Sequence, residues 1–136
     1  MPSTAFTTLF ATGRRGAAPD AVAPDGSEVH ILAQGTRGGL ALFTLPPGAV
    51  ARAVAHRTVE EVWYILEGRG RMWRRLGEAE EIVVLEAGVS LVIPLGTHFQ
   101  LRVDGAEPLV ALGATMPPWP GAHEAYFVEG TWPATV

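Results

Sequence analysis

Between residues 28 and 115 the chain is cut by turn signals about every eight to twelve residues, and no segment between them sustains a helical period. Pro fixes φ and Gly tolerates φ > 0, so Pro46-Pro47-Gly48, Glu67-Gly68, Ala87-Gly88 and Pro94-Leu95-Gly96 are places where the backbone reverses. The runs between them are short and β-rich. Strands are expected over 28–33, 40–45, 49–55, 62–66, 69–75, 82–85, 89–93, 97–103 and 109–114. Leu76-Gly77-Glu78 and Asp104-Gly105 read as hairpin turns. Many short strands and no helix point to an all-β sandwich or barrel.

With 136 residues, one domain with a sizeable core is expected. Three parts are distinguishable: an irregular N-terminal arm (1–27) with an apolar cluster at Phe6, Leu9 and Phe10, a β-barrel (28–115), and a C-terminal tail (116–136). The tail holds Pro117, Pro118, Pro120 and Pro133 among Trp119, Tyr126, Phe127 and Trp132. Its prolines argue against regular pairing and its aromatics require burial, so it is expected to close the barrel's own edge or dock on a second subunit.

Composition excludes several chemistries. No Cys is present, which removes disulfides, thiolate nucleophiles and Cys-bound zinc. All ten basic residues are Arg, which removes Schiff-base catalysis on Lys. A net charge of −4 with no long basic run argues against a nucleic-acid partner. No apolar run reaches membrane-spanning length and no signal peptide is evident, so no membrane partner and a cytoplasmic location are expected.

Residues 48–70 carry the residues best suited to chemistry. Alternation over 49–55 puts Val50, Arg52, Val54 and His56 on one strand face and Ala49, Ala51, Ala53 and Ala55 on the other. Beyond a polar break at Arg57-Thr58, Glu61, Trp63 and Ile65 follow at period two. A His closing one strand and a Glu opening the next can meet. His30 reads as an ordinary surface or edge residue, and Glu78, Glu80, Glu81 and Glu86 as a solvated acidic hairpin.

The stretch resembles the first motif of the cupin family: Gly, five residues, His-X-His, three or four residues, Glu, six residues, Gly. Here Gly48 leads to Val54, Ala55 and His56, then to Glu61 and Gly68, with Val54 in place of the first His. The second motif runs Gly, five residues, Pro-X-Gly, two residues, His, three residues, Asn. It is matched by Gly88, Pro94 and Gly96, with Phe99 and Val103 at the His and Asn positions and His98 one residue early. The resemblance implies a double-stranded β-helix, or jelly-roll, barrel. It also implies one divalent ion (iron, manganese, nickel or zinc) on ligands drawn from His56, Glu61 and His98, with His123 able to reach from the tail. With two of four ligand positions kept, the site is expected to be empty or weakly occupied, because stable sites of this kind use three protein ligands.

Arg52, Val54, Trp63, Ile65, Phe99 and Leu101 are expected to line the interior as a pocket for a small polar or anionic ligand. Arg52 either binds that ligand's anionic group or pairs with Glu60 or Glu61. Three readings stay open: a small-ligand-binding protein with a degenerate metal site, a metal-dependent dioxygenase or sugar isomerase, and a structural or regulatory dimer with a filled barrel. A homodimer is expected through the arm, the alanine face and the tail.

Overall fold

The structure, a computed structural model, describes residues 9–136, so Phe6 of the arm's apolar cluster lies outside the described residues. Eleven strands follow in order: β1 (Ala21–Val22), β2 (Glu28–Gln34), β3 (Gly39–Leu45), β4 (Val54–His56), β5 (Glu60–Glu67), β6 (Arg69–Leu76), β7 (Ala79–Glu86), β8 (Ser90–Ile93), β9 (His98–Val103), β10 (Leu109–Met116) and β11 (Ala125–Phe127). They form two antiparallel sheets. One has the order β1-β2-β3-β10-β5-β8 and the other β11-β4-β9-β6-β7. The chain is all-β, a double-stranded β-helix. No helix among the described residues is long and apolar enough to cross a membrane.

The expected strands correspond closely to nine of the observed ones; β1, within the segment read as an irregular arm, pairs with β2, β11 lies in the tail, and two further readings are corrected. Asp104-Gly105 is not a hairpin turn: β9 pairs with β4 and β6, whereas β10 pairs with β3 and β5, so the turn carries the chain from one sheet to the other. Asp104 instead accepts hydrogen bonds from Arg71 and Arg102. The second correction concerns 49–55, where only Val54–His56 is strand. Residues 49–52 are held by single backbone bonds, Ala51 N–H to Leu101 O (2.9 Å) and Val103 N–H to Ala49 O (2.8 Å). Without a continuous ladder the alternation does not hold. Val50, Ala51, Ala53, Val54, Ala55 and His56 are all buried, and Arg52 alone is exposed.

The core lies between the sheets. Leu45, Val54, Trp63, Ile65, Met72, Leu85, Ile93, Phe99, Leu101 and Val103 are its larger members, each at most 3% exposed. The period-two pattern of β5 puts Glu61, Trp63 and Ile65 inside and Val62 and Tyr64 outside. His30 departs from expectation. It is 6% exposed, with neither ring nitrogen hydrogen-bonded.

The tail docks on its own barrel. β11 pairs with β4 despite the surrounding prolines, and Val128 N–H and Thr135 N–H bond to Ala53 O and Val50 O. Buried Gln100 donates its amide to Ala51 O and Trp132 O, and accepts from Thr131 N–H and Trp132 N–H. Arg52, Arg57, Arg71 and Arg102 each lie over a tail aromatic at 4.8–5.7 Å. The alanine face is therefore covered by the tail of the same chain.

Gly68 and Gly96 have φ of 87° and 84°, a region costly for β-branched residues. A Cβ at Gly68 would also collide with the Pro108 carbonyl, whereas one at Gly96 meets only the tip of Leu76. Both Gly→Val variants are expected to lower the melting temperature. Gly96→Val should cost about 1–3 kcal/mol and Gly68→Val more. Equal melting of both variants with the parent in thermal denaturation would contradict this.

Candidate functional site

His56 ends β4 in one sheet, and Glu61 lies in β5 of the other, so the two meet across the interior rather than along a strand pair. The turn at 57–59 joins them. Nδ1 of His56 lies 3.2 Å from Oε2 of Glu61, and both side chains are about 5% exposed or less. The contact is misaligned for a hydrogen bond, and Nδ1 has no hydrogen-bond partner. The other carboxylate oxygen is held firmly: Trp63 Nε1–H donates to Glu61 Oε1 at 2.6 Å. Trp63 is itself stacked on Phe43, with ring centroids 5.2 Å apart. Phe99 meets His56 edge-on at 5.3 Å, and Trp119 of the tail does so at 5.0 Å from another side.

Charge at this pair is suppressed. Burial pushes the Glu61 carboxyl up to about 7; the Trp63 hydrogen bond opposes this, and the carboxylates of Asp25 and Glu124 add to it. Burial also pulls His56 below its ordinary value, against the opposing pull of Glu124 and of the Val59 backbone. Between the lowered His56 value and about pH 7, both groups are uncharged. Burial therefore works against an ion pair at this contact.

Two carboxylates that the sequence did not single out complete the surroundings. Glu124, buried in the tail, accepts from Thr58 N–H, Val59 N–H and Thr58 Oγ1. Burial alone would raise it, but these bonds and the nearby His56 hold it below its usual range. It thereby fixes the turn between His56 and Glu61. Asp25 is buried and raised by burial, against the hydrogen bonds from Ser27. The only local signal for Glu124 was its acidic character inside an aromatic segment.

Of the residues expected inside, Val54, Trp63, Ile65, Phe99 and Leu101 are all buried in the core. Arg52 is not among them. It is exposed, its Nε donates to Val136 O at 3.3 Å, and its guanidinium lies over Phe127, so it reaches neither the interior nor Glu60 or Glu61. It lines instead an outer cleft of about 210 Å³ with Gln100, Phe127 and Trp132. His98 opens β9 opposite Arg75, half-buried, and strand alternation turns it away from the face of Phe99. His123 is exposed, and its carbonyl accepts from Arg57.

Among the described residues no three His, Asp or Glu side chains gather into a group that could hold a metal ion. His56 and Glu61 alone supply two donors, with Trp63 N–H already on one carboxylate oxygen. This donor set does not fit a firmly held ion. Beside Trp63 the barrel leaves a cavity of about 10 Å³ lined by Ser27, Phe43, Leu45 and Leu101, about the space of one water molecule.

Two substitutions test this arrangement. Because the folded state holds Glu61 above its ordinary value, its contribution to stability is full below about pH 4.5 and is lost as pH rises to about 7. Glu61→Gln keeps an acceptor for Trp63 without the charge. Its melting temperature is expected to gain on the parent across that window and to level off above it, by the equivalent of about 1–3 kcal/mol. A constant difference from pH 4 to 8 would refute the buried, raised carboxyl. Glu124→Ala leaves Thr58 N–H and Val59 N–H without their acceptor, which should cost about 1–3 kcal/mol per group in chemical denaturation. His123→Ala, at an exposed neighbour, should stay within about 0.5 kcal/mol of the parent.

Comparison with known proteins agrees with this architecture. A family model described as a cupin domain matches residues 41–114. An uncharacterized protein of Methanocaldococcus jannaschii is 32% identical over 108 residues, covering 76% of this chain and 82% of that protein. The capsular polysaccharide assembling protein CapF of Staphylococcus aureus superposes with a TM-score of 0.66 at 19% identity, over 81% of this chain and 34% of its own. Oxalate decarboxylase of Bacillus subtilis, a protein with Mn(II) centres, gives 0.67 at 21% identity, over 82% of this chain and 30% of its own. The chain thus spans about a third of each of these two larger proteins, and the likeness to them is one of fold. Together, the matched family model, the archaeal relative and the two-sheet barrel around His56 and Glu61 show that the chain belongs to the cupin family.

Proposed function

We propose that this protein binds a small, uncharged hydrogen-bonding molecule at the His56–Glu61 pair, beneath Trp119, without a resident metal ion. One observation carries the reading: a buried imidazole nitrogen has no hydrogen-bond partner, beside a carboxyl whose proton is lost near pH 7. Buried polar groups in native proteins are nearly always satisfied, and the exceptions concentrate where something else must bind. A molecule with both a donor and an acceptor would satisfy His56 Nδ1 and Glu61 Oε2 together.

The electrostatics select against the anionic ligand that the sequence allowed. Arg52 lies outside, and the carboxyl groups nearest the pair are Asp25 and Glu124. Desolvating an anion among them is unfavourable. Trp63, Phe99 and Trp119 give the molecule apolar walls, and Trp119 and the tail would have to shift to admit it.

The filled-barrel reading rests on the small cavity beside Trp63, and one experiment separates the two. Acetamide and urea, titrated into protein labelled with ¹⁵N in its His rings, should shift the His56 ring signals saturably and leave His98 and His123 unmoved. With ¹⁵N-labelled Trp instead, the Trp119 indole should shift on titration in the parent and not in the His56→Phe variant. No saturable His56 shift with either probe would favour the filled barrel. Treatment with a chelator should leave the melting temperature unchanged; stoichiometric metal lost in chelator, with a fall in melting temperature, would overturn the metal-free reading.

A further inference from the structure

Arg52, an anion-binding candidate by sequence, stays outside the barrel, and the cleft it lines there is separate from the His56–Glu61 pair. The tail leaves this space of about 210 Å³ against β9, on the side of the strand away from Phe99. Arg52, Ala53, Gln100, Phe127, Gly130 and Trp132 line it. The floor is rigid. Four hydrogen bonds hold the Gln100 amide, and a Cβ on Gly130 would collide with Gln100 and Ala53. Two rings give the cleft an apolar lining, and Phe127, at 59% exposed, is far from buried.

We propose that this cleft binds a small carboxylate carried on a single aromatic ring. Charge is one argument. The chain has a net charge of −4, but this corner of it is cationic. Arg52 lies 5.0 Å from the Phe127 ring, and Arg71 and Arg102 lie 5.7 and 5.4 Å from that of Trp132. Asp104 is the one carboxylate bonded to these three guanidinium groups, and it serves Arg71 and Arg102. Glu129, the only acidic residue between Phe127 and Ala134, is exposed and does not line the cleft. Among the described residues no Asp or Glu pairs with Arg52. Its Nε donates to Val136 O, and its two Nη groups carry no hydrogen bond. A guanidinium stacked on a ring keeps its in-plane N–H groups free for bidentate contact with a carboxylate. Size and polarity are the other argument. About 150 Å³ suffices for benzene, so the cleft has room for one ring and its carboxylate. Gln100 has no donor or acceptor left to offer, which leaves Arg52 as the polar anchor and the rings as the contact for an apolar body.

The test uses the intact chain with ¹⁵N in its Trp, Arg and His side chains. On titration with benzoate, the Trp132 indole and Arg52 Nε signals should shift saturably with a common midpoint. The indoles of buried Trp63 and Trp73 and the ring of His56 should stay unmoved. Benzyl alcohol keeps the ring without the charge, and acetate keeps the charge without the ring. Each should bind about tenfold more weakly than benzoate, or worse. Arg52→Gln should lose about tenfold or more of the benzoate affinity, keep that for benzyl alcohol, and retain the circular dichroism of the parent. Arg37→Gln, at an exposed arginine between β2 and β3, should bind benzoate as the parent does. No saturable shift with benzoate, either analogue binding as tightly as benzoate, parent-like affinity in Arg52→Gln, or an equal loss in Arg37→Gln would overturn the inference. Shifts centred on His56 would also overturn it, because the anion would then lie inside the barrel. Comparing benzoate with its two analogues needs no variant, so it decides the matter even if Arg52→Gln fails to fold.

Discussion

The hydrogen bond from Trp63 Nε1 to Glu61 Oε1 organises the interior. A buried carboxyl is costly unless it is neutral or held; burial raises this one and the indole holds it. The bond fixes one oxygen and leaves the other facing His56. Trp63 can take that position because Gly113, beside it on β10, leaves room: a Cβ there would press on Phe43 and on the indole. The Phe43–Trp63 stack, the orientation of Glu61 and its approach to His56 thus follow one another from a missing methyl group. Apolar Val54 and Phe99 stand where the family's pattern has histidines, and around Glu61 the barrel supplies aromatic packing and one strong donor.

Much of this was legible beforehand because β5 and β9 are regular. Period two in 61–65 puts Glu61, Trp63 and Ile65 inside, and a ladder on both sides of β5 keeps them there. Phe99 and Leu101 follow the same rule against β6. The rule failed at Arg52 for a physical reason. Residues 49–53 lack a continuous partner strand, so the backbone turns between isolated bonds and the two-fold alternation has nothing to enforce it. His30 failed differently. Its strand was foreseen, but how much of the surface around a side chain is covered depends on what else packs there, which a pattern of alternation does not contain.

Glu124 was out of reach for a third reason. Its partners are backbone groups of Thr58 and Val59, more than sixty residues earlier, and no local spacing encodes a bond across that distance. Yet it decides the site, because it holds the one turn that joins His56 to Glu61 and carries Trp119 into place on the same segment. The tail looked like an appendage by composition, with prolines that deny it a long ladder. Physically it is part of the wall, held by side-chain acceptors, cation–π contacts and one short strand.

Gln100 shows how complete that incorporation is. Its amide uses both donors and both lone pairs, two toward the Ala51 and Trp132 carbonyls and two from the Thr131 and Trp132 N–H groups. A side chain that does this is a surrogate peptide unit, inserted where the chain could not bring a strand of its own. Residues 131–132 are bonded to β9 as a neighbouring strand would be, through a group whose geometry is that of the backbone. Opening of this segment is thereby coupled to β9 through the Gln100 side chain. Exchange of the Thr131 and Trp132 amides is then a reporter of how far the end of the chain moves with the sheet beneath it.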